Sequence, residues 1–121
     1  MTISKDENGN ICLRQGDSGT IIFRGFNPEK NYYVYFSVVD EDRKLMFPEI
    51  VVTSNNSESV TFNLDAASTK NLTVPEGEEI AVYYWGVKYS EIGSNEENTI
   101  FPKMFKRSIM LVCPQYTEGI G

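Results

Sequence analysis

Tyr32-Tyr33-Val34-Tyr35-Phe36-Ser37-Val38-Val39 has a period of two, with Tyr32, Val34, Phe36 and Val38 on one side and Tyr33, Tyr35, Ser37 and Val39 on the other. Side chains of a strand alternate between faces, and β-branched and aromatic residues fit a pleated surface, so this stretch reads as a long strand covered on both faces. Asp40-Glu41-Asp42-Arg43-Lys44 then supplies a polar turn. Leu45 to Thr53 resumes extended character, but Pro48 has no N-H to give to a ladder, which places this run at an edge or a bulge. Ser54-Asn55-Asn56-Ser57 is a second turn.

Working outward, Ser59 to Leu64 alternates Val60, Phe62 and Leu64 with Ser59, Thr61 and Asn63, a strand with one packed and one wet face. Asp65 to Leu72 has local helix character, with Asp65 as N-cap. Pro75-Glu76-Gly77 turns the chain into Glu79 to Tyr89, where Ile80, Val82 and Tyr84 oppose Ala81, Tyr83, Trp85, Val87 and Tyr89, a pattern expected of a central strand. Upstream, Ile11 to Leu13 and Ser18 to Phe26 make two strands joined across Arg14-Gln15-Gly16-Asp17, whose Gly16 is a turn glycine. Downstream, Ser90 to Asn98 is a polar acidic loop, and Phe105 to Cys113 a final strand with Ile109, Leu111 and Cys113 on one face. About seven strands separated by turn signals, with one short helical turn, give an all-β, immunoglobulin-like β-sandwich. The expected organisation is an N-terminal arm over 1–10, a sandwich domain over 11–113 and a C-terminal tail over 114–121.

Composition bounds the chemistry. A chain of 121 residues makes one domain, and 40% hydrophobic with 23% charged residues describes a folded chain and not a disordered one. Eleven Lys and Arg against seventeen Asp and Glu leave a net charge of -6, which repels phosphate backbones, so no nucleic-acid partner is expected. Histidine is absent, removing the commonest general base and metal ligand near neutral pH. Apolar runs such as Ile80 to Val87 are far shorter than the ~20 residues a bilayer helix requires, so no membrane partner is expected either. The N-terminus carries no apolar run after its basic residue, and no secretory signal is read there.

Catalytic patterns are correspondingly thin. Asp40, Glu41 and Asp42 lie on a turn, and Glu78, Glu79, Glu96 and Glu97 flank a strand and a loop, where acidic residues are ordinarily solvated. No Ca²⁺-loop spacing, phosphate-binding loop or nucleophile elbow occurs. The expectation is a protein that is not an enzyme, with no catalytic residues, no cofactor and no metal. Cys12 and Cys113 sit in apolar settings near the two ends of the sheet, either as buried reduced thiols or as a disulfide joining the end strands.

The aromatic residues are the richest feature. Tyr and Trp combine large contact area with a polar tip, so those facing outward suit a protein interface or a sugar. Tyr33, Tyr35, Tyr83, Trp85 and Tyr89, with Pro48 on the edge run, are the interface candidates, about half of the aromatics being expected to face the interior.

The order of features resembles a known family at this point. Leu13-Arg14-Gln15-Gly16-Asp17 opening a strand, the strand from Tyr33 to Val39 ending in an acidic turn, and Leu72-Thr73-Val74-Pro75-Glu76-Gly77 before the Glu79 to Tyr89 strand resemble the N-terminal immunoglobulin-like domain of phage baseplate upper proteins, from tailed phages of Gram-positive bacteria. The resemblance spans about residues 11–113 and carries over no binding residue. It implies a virion structural protein, assembled in the host cytoplasm, that contacts other virion proteins in the tail or baseplate as a symmetric homo-oligomer and links to receptor-binding parts. Alternatives are a head-decoration protein, or a carbohydrate-binding module that takes a host glycan on its outward aromatics.

Overall fold

The computed structural model describes residues 3–5, 9–102 and 107–114. Among them the chain forms nine strands and one short helix: β1 (Ser4–Lys5), β2 (Ile11–Arg14), β3 (Gly19–Arg24), β4 (Asn31–Val39), β5 (Ile50–Asn55), β6 (Ser59–Leu64), α1 (Ala66–Lys70), β7 (Ala81–Glu91), β8 (Asn98–Phe101) and β9 (Ile109–Cys113). A seven-stranded sheet runs in the order β1-β2-β9-β7-β4-β5, with β8 also paired to β7, and a two-stranded sheet of β3 and β6 packs against it. All pairings are antiparallel except β2 with β9, where Ile11 to Arg14 run alongside Met110 to Cys113 in parallel. The protein is an all-β, immunoglobulin-like sandwich.

Alternation in the sequence becomes burial in the fold. On β4, Tyr32, Val34, Phe36 and Val38 are buried; on β7, Tyr83, Trp85 and Val87; on β6, Val60, Phe62 and Leu64. Between the layers Phe23 of β3 stands edge-on to Phe62 with centroids 5.8 Å apart and lies 5.6 Å from Trp85, while Phe36 lies 5.4 Å from Phe62. Such tilted and edge-to-face contacts are the favoured arrangement of aromatic quadrupoles. At one end Tyr89 meets Tyr32 edge-on at 5.3 Å and Phe26 at 6.1 Å. The polar tips of the buried aromatics are satisfied: Trp85 Nε1 donates to Ile109 O at 3.1 Å and the Tyr83 hydroxyl donates to Thr73 O.

The turns are built by the residues that turns require. Asp40 Oδ1 accepts from the N-H groups of Asp42 at 2.8 Å and Lys44 at 3.0 Å, and Arg43 takes a positive φ of 64°. Asp65 caps α1 by accepting from Ser68 N at 2.7 Å. Thr69 on that helix donates to Asp17 O at 2.8 Å and Gln15 Nε2 to Lys70 O at 2.9 Å, which ties the β2–β3 turn to the helix.

Several expectations are corrected in detail. The described part of the N-terminal arm belongs to the sandwich, because β1 pairs with β2 and Ile3 is buried in the core with its N-H on Thr20 O at 2.6 Å. Residues 115–121 of the tail, and Phe105 at the start of the expected last strand, lie outside the described residues. Pro48 precedes β5, so the edge strand begins only at Ile50. The expected Ser90 to Asn98 loop is shorter than that, because Ser90 and Glu91 continue β7 and Asn98 opens β8, whose residues Asn98-Thr99-Ile100-Phe101 take strand form by pairing with β7. Cys12 is exposed and Cys113 half-buried, and they are not bonded to each other. Cys12 stands opposite Leu111 and Cys113 opposite Arg14, a two-residue offset on neighbouring strands. With ~4.8 Å between strands and ~3.3 Å per residue the Cα atoms lie about 8 Å apart, beyond the ~7 Å a disulfide can span without backbone movement.

Candidate functional site

The outward face of the large sheet carries the surface chemistry. Tyr33, Tyr35, Ser37 and Val39 of β4 point out, and across the ladder Tyr35 faces Lys88, Ser37 faces Gly86 and Val39 faces Tyr84 of β7. On the other flank Tyr33 faces Thr53 and Tyr35 faces Val51 of β5. Side chains directly opposite each other interact most strongly, so the register sets the pairs. Lys88 Nζ sits 5.2 Å over the Tyr35 ring and 3.4 Å from Glu97 Oε1. Arg107 lies 5.3 Å over the Tyr84 ring and donates from Nη1 to the Tyr84 hydroxyl at 3.2 Å.

Between these two cation-topped tyrosines the sheet dips. Ser37 and Gly86, the smallest outward residues of their strands, lie side by side and form the floor of a cleft of about 710 Å³. Arg107 and Tyr84 line one wall, and the β4 turn contributes Asp40, Glu41 and Arg43 to the rim. A shallower depression of about 200 Å³ shares Ser37 and Gly86 and continues toward Tyr35, Lys88, Glu49 and Thr99. The backbone approaches Gly86 closely: a Cβ there would stand 3.3 Å from Phe101 O, so that carbonyl would have to give by a few tenths of an ångström, and an ordinary 3.7 Å from Ser37 Oγ. Beside it lies the Phe101-Pro102 bond, which is cis, at the end of β8.

The second surface is the edge. β5 pairs with β4 along one side, and no described strand pairs with its other side. Val51 on its outward face is 50% exposed, beside Tyr33 at 41%.

The interface candidates divide accordingly. Tyr33 is exposed and Tyr35 half-buried on the outward face, and both flank Val51 of β5, whereas exposed Pro48 stands ahead of that strand. Tyr83 and Trp85 are corrected to core residues, 7% and 3% exposed, because their parity on β7 points them between the layers. Tyr89 is half-buried with its ring against Phe26 and Tyr32. The carboxylates Glu41, Asp42, Glu78, Glu79, Glu96 and Glu97 are exposed. Among the described residues no three or more Cys, Asp or Glu side chains are grouped to hold a metal ion, and no helix is long and apolar enough to cross a membrane. The Asp65 carboxyl is held below its ordinary pKa by its hydrogen bonds from Ser68, a cap and not a catalytic device. Arg43, Arg107, Tyr84 and the Ser37–Gly86 floor escape sequence reasoning. The one signal was a glycine inside a strand, which marks a close backbone approach.

No family model matches the chain, and neither does any curated protein. Among solved structures it is similar to a chain described as the crystal structure of the periplasmic chaperone SfaE, with a TM-score of 0.61 and 14% identity over 88% of this chain. The match covers 54% of that chain, so this protein spans about half its length. At that identity the likeness is one of fold.

Proposed function

We propose that this chain is a non-catalytic assembly module of a phage virion, a rigid sandwich that joins tail or baseplate components through the open edge of β5 and the outward tyrosines beside it. The observation that carries the reading is that edge: an uncapped strand offers a row of N-H and C=O groups to an incoming strand, and the neighbouring side chains give it selectivity. Val51 and Tyr33 provide apolar contact beside that row. The net charge of -6 disfavours nucleic acid and leaves proteins as the partners. The order of sequence features, from Leu13-Arg14-Gln15-Gly16-Asp17 to the Glu79 to Tyr89 strand, supports a baseplate position and a symmetric homo-oligomer.

Mass spectrometry of purified particles, with crosslinking of the wild-type chain and of Val51→Lys, tests the proposal. The chain is expected in particles at a fixed copy number, with chain-to-chain crosslinks from the exposed Lys44 and Glu49 ahead of β5 that the Val51→Lys variant loses. Recovery only as a free monomer, or crosslinks indifferent to Val51, would sink it.

A further inference from the structure

We propose that the cleft over Ser37 and Gly86 is a binding site for an acidic saccharide unit, a sugar ring bearing one carboxylate. The inference is independent of the β5 edge and rests on the groups that meet in the cleft.

The volume of about 710 Å³ lies within the ~300–1,000 Å³ of small-ligand sites. Arg43 and Arg107 both line it, and no carboxylate of a described residue forms an ion pair with either. Asp40 and Glu41 also line the cleft, so its described charges balance, but neither carboxylate is within ion-pair distance of either guanidinium, and both forks stay available to an incoming anion. A guanidinium presents a planar fork of donors that matches a carboxylate in two parallel hydrogen bonds. Arg107 is held in place, stacked on Tyr84 and bonded to its hydroxyl.

The remaining groups select the rest of the ligand. Asp40 and Glu41 on the rim are acceptors, and the Ser37 and Tyr84 hydroxyls both donate and accept, which is the mixture that sugar hydroxyls require. The same two carboxylates oppose a doubly charged phosphate more than a single carboxylate surrounded by neutral hydroxyls. The floor, which Gly86 leaves without a side chain, lets a ring lie close to the backbone. Arg107 and Lys88 already lie over the Tyr84 and Tyr35 rings, so a flat aromatic base would have to displace a cation to stack on those faces.

Titration of the isotope-labelled chain with D-galacturonic acid, followed by amide NMR, tests the site, with D-galactose and inorganic phosphate as comparison probes. Galacturonate is expected to give saturable shifts at Ser37, Tyr84 and Gly86, at concentrations where galactose and phosphate give none. Arg107→Ala and Arg43→Ala should each weaken binding about tenfold or more, as expected for losing a hydrogen bond to a charged group. Arg107→Lys should fall between, because an ammonium replaces the fork with a point charge. Both arginines are exposed, and the variants' spectra away from the cleft should match wild type. Galacturonate leaving Gly86 unmoved, phosphate or galactose saturating in the same range, or Arg107→Ala binding like wild type would each overturn the proposal.

Discussion

Trp85 packs against the rings of Phe23, Phe36 and Phe101 at centroid distances of 5.6, 6.3 and 5.0 Å, the first of them across the layers, and bonds Ile109 O through its indole N-H. Removing it deletes burial and leaves a cavity that the surrounding rings cannot fill. Trp85→Ala is therefore expected to cost about 3 to 5 kcal/mol in urea unfolding, and a loss below about 1 kcal/mol would contradict its place in the core. Asp65 acts at lower stakes. Its folded-state pKa is depressed by the Ser68 hydrogen bonds, so its stabilising contribution is complete above the unfolded carboxyl value and disappears as pH falls through the folded one. Asn also caps but does not titrate. Melting curves of wild type and Asp65→Asn should accordingly diverge between neutral pH and about pH 3 by the slope this one carboxyl supplies. Parallel curves would mean that the cap does not hold the charge.

At the scale of elements, β5 is where stability and association separate. Val51 faces outward on an edge, so Val51→Lys should change unfolding free energy by no more than about 0.5 kcal/mol while blocking edge-to-edge pairing. Calorimetry and crosslinking on the same sample check both halves. The strands legible in the sequence were those with strong alternation: β4, β6 and β7 follow the apolar parity of Tyr32 to Val38, Val60 to Leu64 and Tyr83 to Val87 because each buries one face. α1 was legible for another reason, its Asp65 cap, which is local chemistry. β1 and β8 were not legible, since two and four residues acquire strand form from a neighbour's hydrogen bonds and not from their own pattern. The cleft escaped likewise: Ser37 and Gly86 are 49 positions apart, and only the β4–β7 register sets them side by side.

For the whole molecule, the net charge of -6 makes copies repel one another over about a Debye length, ~10 Å at 0.1 M salt. If copies associate through the apolar edge, raising salt should strengthen association and lowering it should dissociate the oligomer, as read by sedimentation velocity. Weakening with salt would indicate that opposite charges hold the copies together instead. The offset of Cys12 and Cys113 makes a further claim: melting temperatures with and without reductant should coincide at low protein concentration, because no internal bridge forms across about 8 Å.

The parallel pairing of β2 with β9 gives the molecule a mechanical character. A pull applied at Ile11, the first residue of β2, and at Cys113, the last of β9, slides these neighbours lengthwise, so the backbone bonds along Ile11 to Arg14 take the load together and do not open one after another. Parallel neighbours clasped in this way resist a lengthwise pull better than strands that peel apart one bond at a time.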